Sequence, residues 1–198
     1  MRARFVGLTG GLGAGKSTAL AMLEGLGAAV LSSDAVVREL YGTGEVRDAV
    51  RAHFGAEVFD ASSGEVDRVA LARRAFATEA DRAWLEALLW PLVARRAQAF
   101  RSEAERRTPA PVAIVIEVPL LFEAQTESRY DATIAVVADD ALRAQRVEAR
   151  GLSELVQRER RQLPQPEKAR RADFVVVNDG TLEALREQLT GVLAKLSG

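Results

Sequence analysis

Residues 7 to 18 read GLTGGLGAGKST, with glycine at positions 7, 10, 11, 13 and 15. Glycine weakens helices and strands alike, so this density calls for a place where the backbone turns tightly or meets a ligand at close range. The run follows Arg4–Leu8, which reads as a short buried strand, and leads into STALAMLEGL, residues 17 to 26, with apolar residues at helical spacing. Gly10 to Ser17 fits Gly-x-x-x-x-Gly-Lys-Ser, the phosphate-binding loop. A strand, a glycine turn and a helix N-terminus aim backbone N–H groups and the helix dipole at an anion. Gly13, Ala14, Gly15, Lys16, Ser17 and Thr18 are therefore the candidate nucleotide ligands, with Lys16 at the β- and γ-phosphates and Ser17 on Mg²⁺. The alternative is a glycine turn with an incidental lysine, and the agreement of spacing, strand and helix speaks against it. A dinucleotide fingerprint fails, because the third position after Gly11-x-Gly13 is Lys16.

Beyond the loop, strand and helix patterns alternate. Strands are expected over 28–32 (AAVLS), 112–118 (VAIVIEV), 132–138 (ATIAVVA) and 173–177 (DFVVV), with helices starting at Asp34, at Asp140 and at Thr181. With Arg4–Leu8 they predict a five-stranded parallel, doubly wound α/β sheet. Residues 1–44, 108–150 and 172–198 form its nucleotide-binding core. Residues 45–107 carry only helical patterns, including a long run from Glu79 to Arg107 expected to break at Pro91. Residues 151–171, GLSELVQRERRQLPQPEKARR, are rich in arginine and lysine. That stretch is either a solvated hairpin or a lid that carries cations to a bound nucleotide and excludes water.

Composition removes several classes. The 198 residues carry 27 basic and 28 acidic side chains, a balance that argues against nucleic acid or a membrane surface as the main partner. There is no cysteine, hence no disulfide or thiolate metal site, and the single histidine, His53, rules out a multi-histidine metal site. His53 lies near no nucleophile motif and is read as structural. No apolar run approaches a membrane span, so a soluble cytoplasmic protein is expected. Nothing in the sequence signals an oligomeric state.

A phosphate loop alone implies nucleotide binding and leaves the reaction open. The only asparagine, Asn178, lies in NDG, so the base-reading Asn-Lys-x-Asp of GTPases is absent, as is the Leu-Ser-Gly-Gly-Gln of transporter ATPases. Asp34 follows the second strand at its carboxyl end, the edge where ligands sit in open α/β sheets. It is either a helix cap or a base for an acceptor hydroxyl.

The whole chain resembles the dephospho-coenzyme A kinase family. The resemblance rests on GLTGGLGAGKS at the start, LSSDAVVREL around Asp34, HFGAEVFDASSGEVDRVALARRAF, EVPLLFE from Glu117 to Glu123, and ADFVVVNDG from Ala172 to Gly180. It implies a phosphate-loop kinase core with residues 45–107 as an acceptor-binding insert and 151–171 as a lid. It also implies transfer from ATP, with Mg²⁺, to the ribose 3′-hydroxyl of dephospho-CoA, the last step of coenzyme A synthesis. Asp34 would then be the base, and Arg38, four residues on, would hold substrate phosphate or steer the carboxylate. Glu117 would support Mg²⁺ through water or be a plain strand-end glutamate. Pro119, Leu120, Leu121 and Phe122 would shape the acceptor pocket or simply pack. Arg146 and Arg150 would contact the γ-phosphate and adenine, and Asn178 would lie near the adenine. Ser32 and Trp90 depart from the family pattern, which has aspartate and commonly histidine there; Trp90 would stack on the substrate's adenine or pantetheine or, the favoured reading, lie in the core. The alternatives are another small-molecule kinase, for a nucleotide or a metabolite, or a nucleotide-dependent switch.

Overall fold

The structure is a computed structural model and describes residues 2–149 and 162–197. Five strands, β1 (Arg4–Gly10), β2 (Ala29–Ser32), β3 (Ala113–Glu117), β4 (Ala132–Val137) and β5 (Phe174–Val177), form one sheet in the order β2-β3-β1-β4-β5. Every neighbouring pair is parallel, as expected. The three central strands are buried almost end to end, because crossover helices cover both faces of a parallel sheet. On the edge strand, Val175 and Val177 stay exposed. Helices α1 (Lys16–Gly25) and α8 (Leu182–Ser197) share one core with the sheet. Leu20 and Leu23 of the first meet Leu185, Leu189, Val192 and Leu196 of the second over Val6, Leu8, Val115, Ile134 and Val136. The three- and four-residue spacing in α8 is what puts those side chains on one face.

The chain divides into two compact units, Met1–Ser32 with Phe100–Gly198, and Ser33–Ala99. The helical unit contains α2 (Ser33–Leu40), α3 (Gly44–Phe54), α4 (Arg68–Ala75) and most of α5 (Glu79–Glu105). The expected limits, 45 and 107, shift for a physical reason. Val37, Leu40 and Tyr41 pack on the Val46–Val50–Phe54–Leu71–Leu85–Leu89–Leu92 core, which draws α2 into the helical unit. At the far end Phe100 and Ala104 are buried and the Arg101 guanidinium lies 4.6 Å from the centre of the Phe5 ring, which ties the last turns of α5 to the sheet.

Two local expectations fail. Helix α5 does not break at Pro91, where Pro91 and Ala87 face solvent: the carbonyl that loses its partner can meet water while Leu85, Leu89 and Leu92 hold the buried face. Trp90 is 47% exposed rather than core, since it stands off the leucine stripe. The core tryptophan of this unit is Trp84, partly buried, whose ring stacks on His53 at 4.0 Å. His53 is structural, as expected, with Nε2 3.0 Å from Asp81.

Candidate functional site

The phosphate loop leaves β1 at Gly10 and ends as α1 begins at Lys16. Gly13 (φ 76°) and Gly15 (φ 95°) adopt left-handed backbone that a side chain would strain. Space forbids a side chain as well: a Cβ on Gly13 would meet the Arg143 carbonyl at 2.7 Å, and one on Gly15 the Asn178 amide nitrogen at 2.0 Å.

Four successive loop carbonyls are each held by a side-chain donor. Lys16 Nζ donates to Gly11 O at 3.0 Å and Arg143 Nε to Leu12 O at 2.9 Å. Arg146 Nη1 donates to Gly13 O at 3.4 Å and Asn178 Nδ2 to Ala14 O at 2.9 Å. The physical effect is to fix which way the peptide units face. Ala14 N is itself spent on Gly11 O at 3.3 Å, and the Gly13 and Gly15 N–H groups are among the loop donors offered to an anion. Helix α1 adds its own: its first bond runs from Ala19 N to Gly15 O, so the Ser17 and Thr18 amides precede it, at the positive end of the dipole.

Arg146 and Asn178 thus gain a part in the loop that the sequence reading did not give them. Asn178 is 6% exposed, its amide group is spent on the loop, and its own carbonyl accepts from Arg146 Nη2 at 2.9 Å. Both fix the loop's shape in this structure. Arg143 was missed. Its signal is the i, i+3 spacing from Arg146, which puts both on one face of α6 (Asp140–Ala149). Arg150 lies outside the described residues.

At the carboxyl edge of the sheet, Leu8, Glu117 and Ser32 share one cross-strand row. Glu117 is 5% exposed at the end of β3. Burying a carboxylate is costly, and a cation beside it would offset that cost. No cluster of three or more histidine, cysteine or acidic side chains exists among the described residues. One carboxylate with the exposed Ser17 hydroxyl suits Mg²⁺, which is bound by few protein groups plus phosphate oxygens.

In the loop after β3, Leu121 and Phe122 are 0% and 1% exposed, so they are core and not a ligand-facing wall. Pro119 and Leu120 are partly exposed. In the helical unit, Asp34 and Arg38 are exposed on α2. Helix α2 already begins at Ser33, and Asp34 makes no side-chain hydrogen bond to its amides, so the capping alternative is not realised. The expected lid is described only from residue 162. Residues Gln165–Arg171 form helix α7 packed on the sheet unit, where Lys168 is buried against Glu123, Arg170 pairs with Glu167, and Arg171 pairs with Glu127 over the Phe122 ring. Those three cations are engaged with the protein's own carboxylates in this structure.

Comparison with known proteins agrees with this geometry. The family model described as CoaE: Dephospho-CoA kinase matches residues 4–184. The dephospho-CoA kinase of Bradyrhizobium diazoefficiens is 37% identical over 98% of this chain and 96% of its own length. That of Deinococcus radiodurans is 39% identical over 98% and 92%. The crystal structure of TT1252 from Thermus thermophilus superimposes with a TM-score of 0.85 at 37% identity, covering both chains fully. A shikimate kinase from Acinetobacter baumannii shares the fold alone, at a TM-score of 0.53 and 15% identity over 98% and 93% of the two chains.

Proposed function

The chain belongs to the dephospho-CoA kinase family, and from that premise we propose how its residues carry the reaction. It transfers a phosphoryl group from ATP to dephospho-CoA, giving ADP and coenzyme A. The acceptor atom is the ribose 3′-hydroxyl oxygen. The observation that supports this reading most is the row of held carbonyls from Gly11 to Ala14, which fixes the loop so that amides such as those of Gly13 and Gly15 can serve the donor's phosphates.

Phosphoryl transfer needs mostly positioning and neutralisation of charge. Lys16 exchanges the neutral Gly11 carbonyl for the β–γ bridge, a stronger acceptor for an ammonium and one whose charge grows as the bond breaks. Asp34 accepts the proton of the 3′-hydroxyl as its oxygen bonds to the γ-phosphorus and the bond to ADP breaks. Its carboxylate is exposed and not consumed by capping, which is what a base requires. Arg38, on the same face, orients that carboxylate or a substrate phosphate. Ser17, and Glu117 through water, would hold Mg²⁺, which would neutralise the β- and γ-oxygens. Pro119 and Leu120 face the acceptor, with Leu121 and Phe122 as their underpinning. Arg150 is assigned to the adenine or the γ-phosphate. A cytoplasmic location, where ATP is plentiful, belongs to the same reading.

The test is ADP formation with and without dephospho-CoA. Turnover that depends on the acceptor is expected; equal ADP formation without it would favour a nucleotide-driven switch and overturn the proposal.

A further inference from the structure

Lys168 lies in the middle of α7, and its side chain is 0% exposed. Its ammonium has three hydrogens and meets three acceptors. Nζ is 3.0 Å from Glu123 Oε1, donates to Pro119 O at 2.7 Å and reaches Thr9 Oγ1 at 3.4 Å. The cluster closes on itself, since Thr9 Oγ1 donates to Pro119 O at 3.2 Å and Leu163 N to Glu123 Oε1 at 2.7 Å. One buried charge thus joins three stretches: the last residues of β1 just before the phosphate loop, the loop after β3, and the chain leading into α7.

Stability is a poor reason for such a charge. Desolvation offsets much of the attraction in a buried ion pair, and apolar residues of similar volume often serve the fold as well. Burial pushes the Lys168 ammonium below its ordinary range even though Glu123 pulls the other way. The other carboxylate oxygen, Glu123 Oε2, is buried without a hydrogen-bond partner. Nor does α7 depend on Lys168 alone for its seat: the Gln165 carboxamide brackets Ala138, accepting from its N at 3.0 Å and donating to its O at 2.8 Å. What the ammonium does that a methyl group could not is hold a specific backbone carbonyl, that of Pro119, at a fixed point.

We propose that Lys168 is a positioning residue for the acceptor: through Pro119 and Glu123 it sets the loop 119–123 against the end of β1. This rests on the assignment of Pro119 and Leu120 to the acceptor side. Loops that place a reacting group are sensitive to small displacements, because misalignment by about an ångström costs up to roughly a hundredfold in rate.

The test compares Lys168→Met with the double variant Lys168→Met/Glu123→Leu, which removes the stranded carboxylate. Thermal unfolding, KM for each substrate and amide exchange are measured on both. The double variant is expected to unfold near the wild-type temperature yet keep a KM for dephospho-CoA raised by roughly tenfold or more, with the KM for ATP little changed and amides 120–126 exchanging faster. Wild-type KM values in a double variant of wild-type stability would overturn the proposal and leave Lys168 a packing residue. Faster exchange in the loop with the KM for ATP raised instead would keep the positioning role and move the loop to the nucleotide side.

Discussion

Replacing Asn178 with alanine separates two roles for the same residue. The backbone bonds survive the change: Asn178 N still donates to Val137 O, at 2.8 Å, and Asn178 O still accepts from Arg146. Only the carboxamide is lost, and with it the donor to Ala14 O at 2.9 Å. Ala14 is 0% exposed, so water does not reach its carbonyl easily. Leaving a buried acceptor unpaired costs about 1–3 kcal/mol. For a chain of this size each kcal/mol lowers the melting temperature by about 2–4 °C, so Asn178→Ala should lower it by about 2–12 °C in the absence of nucleotide. The KM for ATP should rise as well, because a freed carbonyl lets the loop turn its amides away. A residue that merely touched adenine would raise the KM and leave the ligand-free melting temperature alone. An unchanged melting temperature would therefore refute the loop-support role. A second variant sharpens the test. Gly15→Ala carries left-handed strain of about 1–2 kcal/mol, and its Cβ would also stand 2.0 Å from Asn178 Nδ2. In the Asn178→Ala background the collision disappears and the strain stays. The two substitutions should thus cost less together than the sum of their separate costs; strict additivity would contradict the described packing.

Lys16→Ala should reduce turnover by at least about two orders of magnitude, the usual size of such an electrostatic contribution, and near-normal steady-state kinetics on a folded variant would sink the phosphate-loop assignment. Asp34→Asn should leave the melting temperature and ATP binding near wild type, since no capping bond is lost, while slowing transfer by roughly two to four orders of magnitude; full activity would move the base elsewhere. Tyr130 stacks on Phe5 with ring centres 4.9 Å apart, and burial pushes its phenol up to about 12. The fold holds the neutral form, so this contribution to stability is complete below the unfolded value of about 10 and lost as pH climbs toward the folded one. Phenolate absorbance, read on wild type against Tyr130→Phe, checks it: ionisation of Tyr130 near 10 in the folded protein would contradict the burial argument.

The parallel sheet was legible because β-branched runs such as VAIVIEV alternate with helical spacing, and the phosphate loop because its glycines are forced by backbone geometry. Asn178 was read as a neighbour of the adenine, and its bond to the loop at Ala14 was not foreseen. A sequence shows that an amide follows the last strand, and only the sheet order reveals that β4 alone separates β5 from β1, which lets that amide reach the loop. Leu121 and Phe122 were offered as either pocket or core, and burial decided for core. Lys168 was hidden in a basic run that looked uniform. Nothing in its local sequence distinguishes it from the exposed Arg170 two residues later, because its burial depends on carboxylates and carbonyls contributed from more than forty residues upstream. Pro91 misled for the opposite reason: a local rule was applied where the surroundings could absorb its violation.

The strand order also carries a consequence for how the chain comes off the ribosome. β1 is made first but occupies the centre of the sheet, with residue 4 facing residue 113 and residue 6 facing residue 132. Its neighbours do not exist until well over half of the chain has been translated, and the side chain that braces the loop at Ala14 comes from residue 178. Pairings so distant in sequence must bear a large loop-closure entropy before they return any stabilisation, which slows their formation. The helical unit, whose core draws on residues 37 to 92, can assemble while the strand waits. A nascent chain halted before residue 178 should therefore hold nucleotide weakly, so that ATP binding reports the completion of synthesis and not the emergence of the glycine motif.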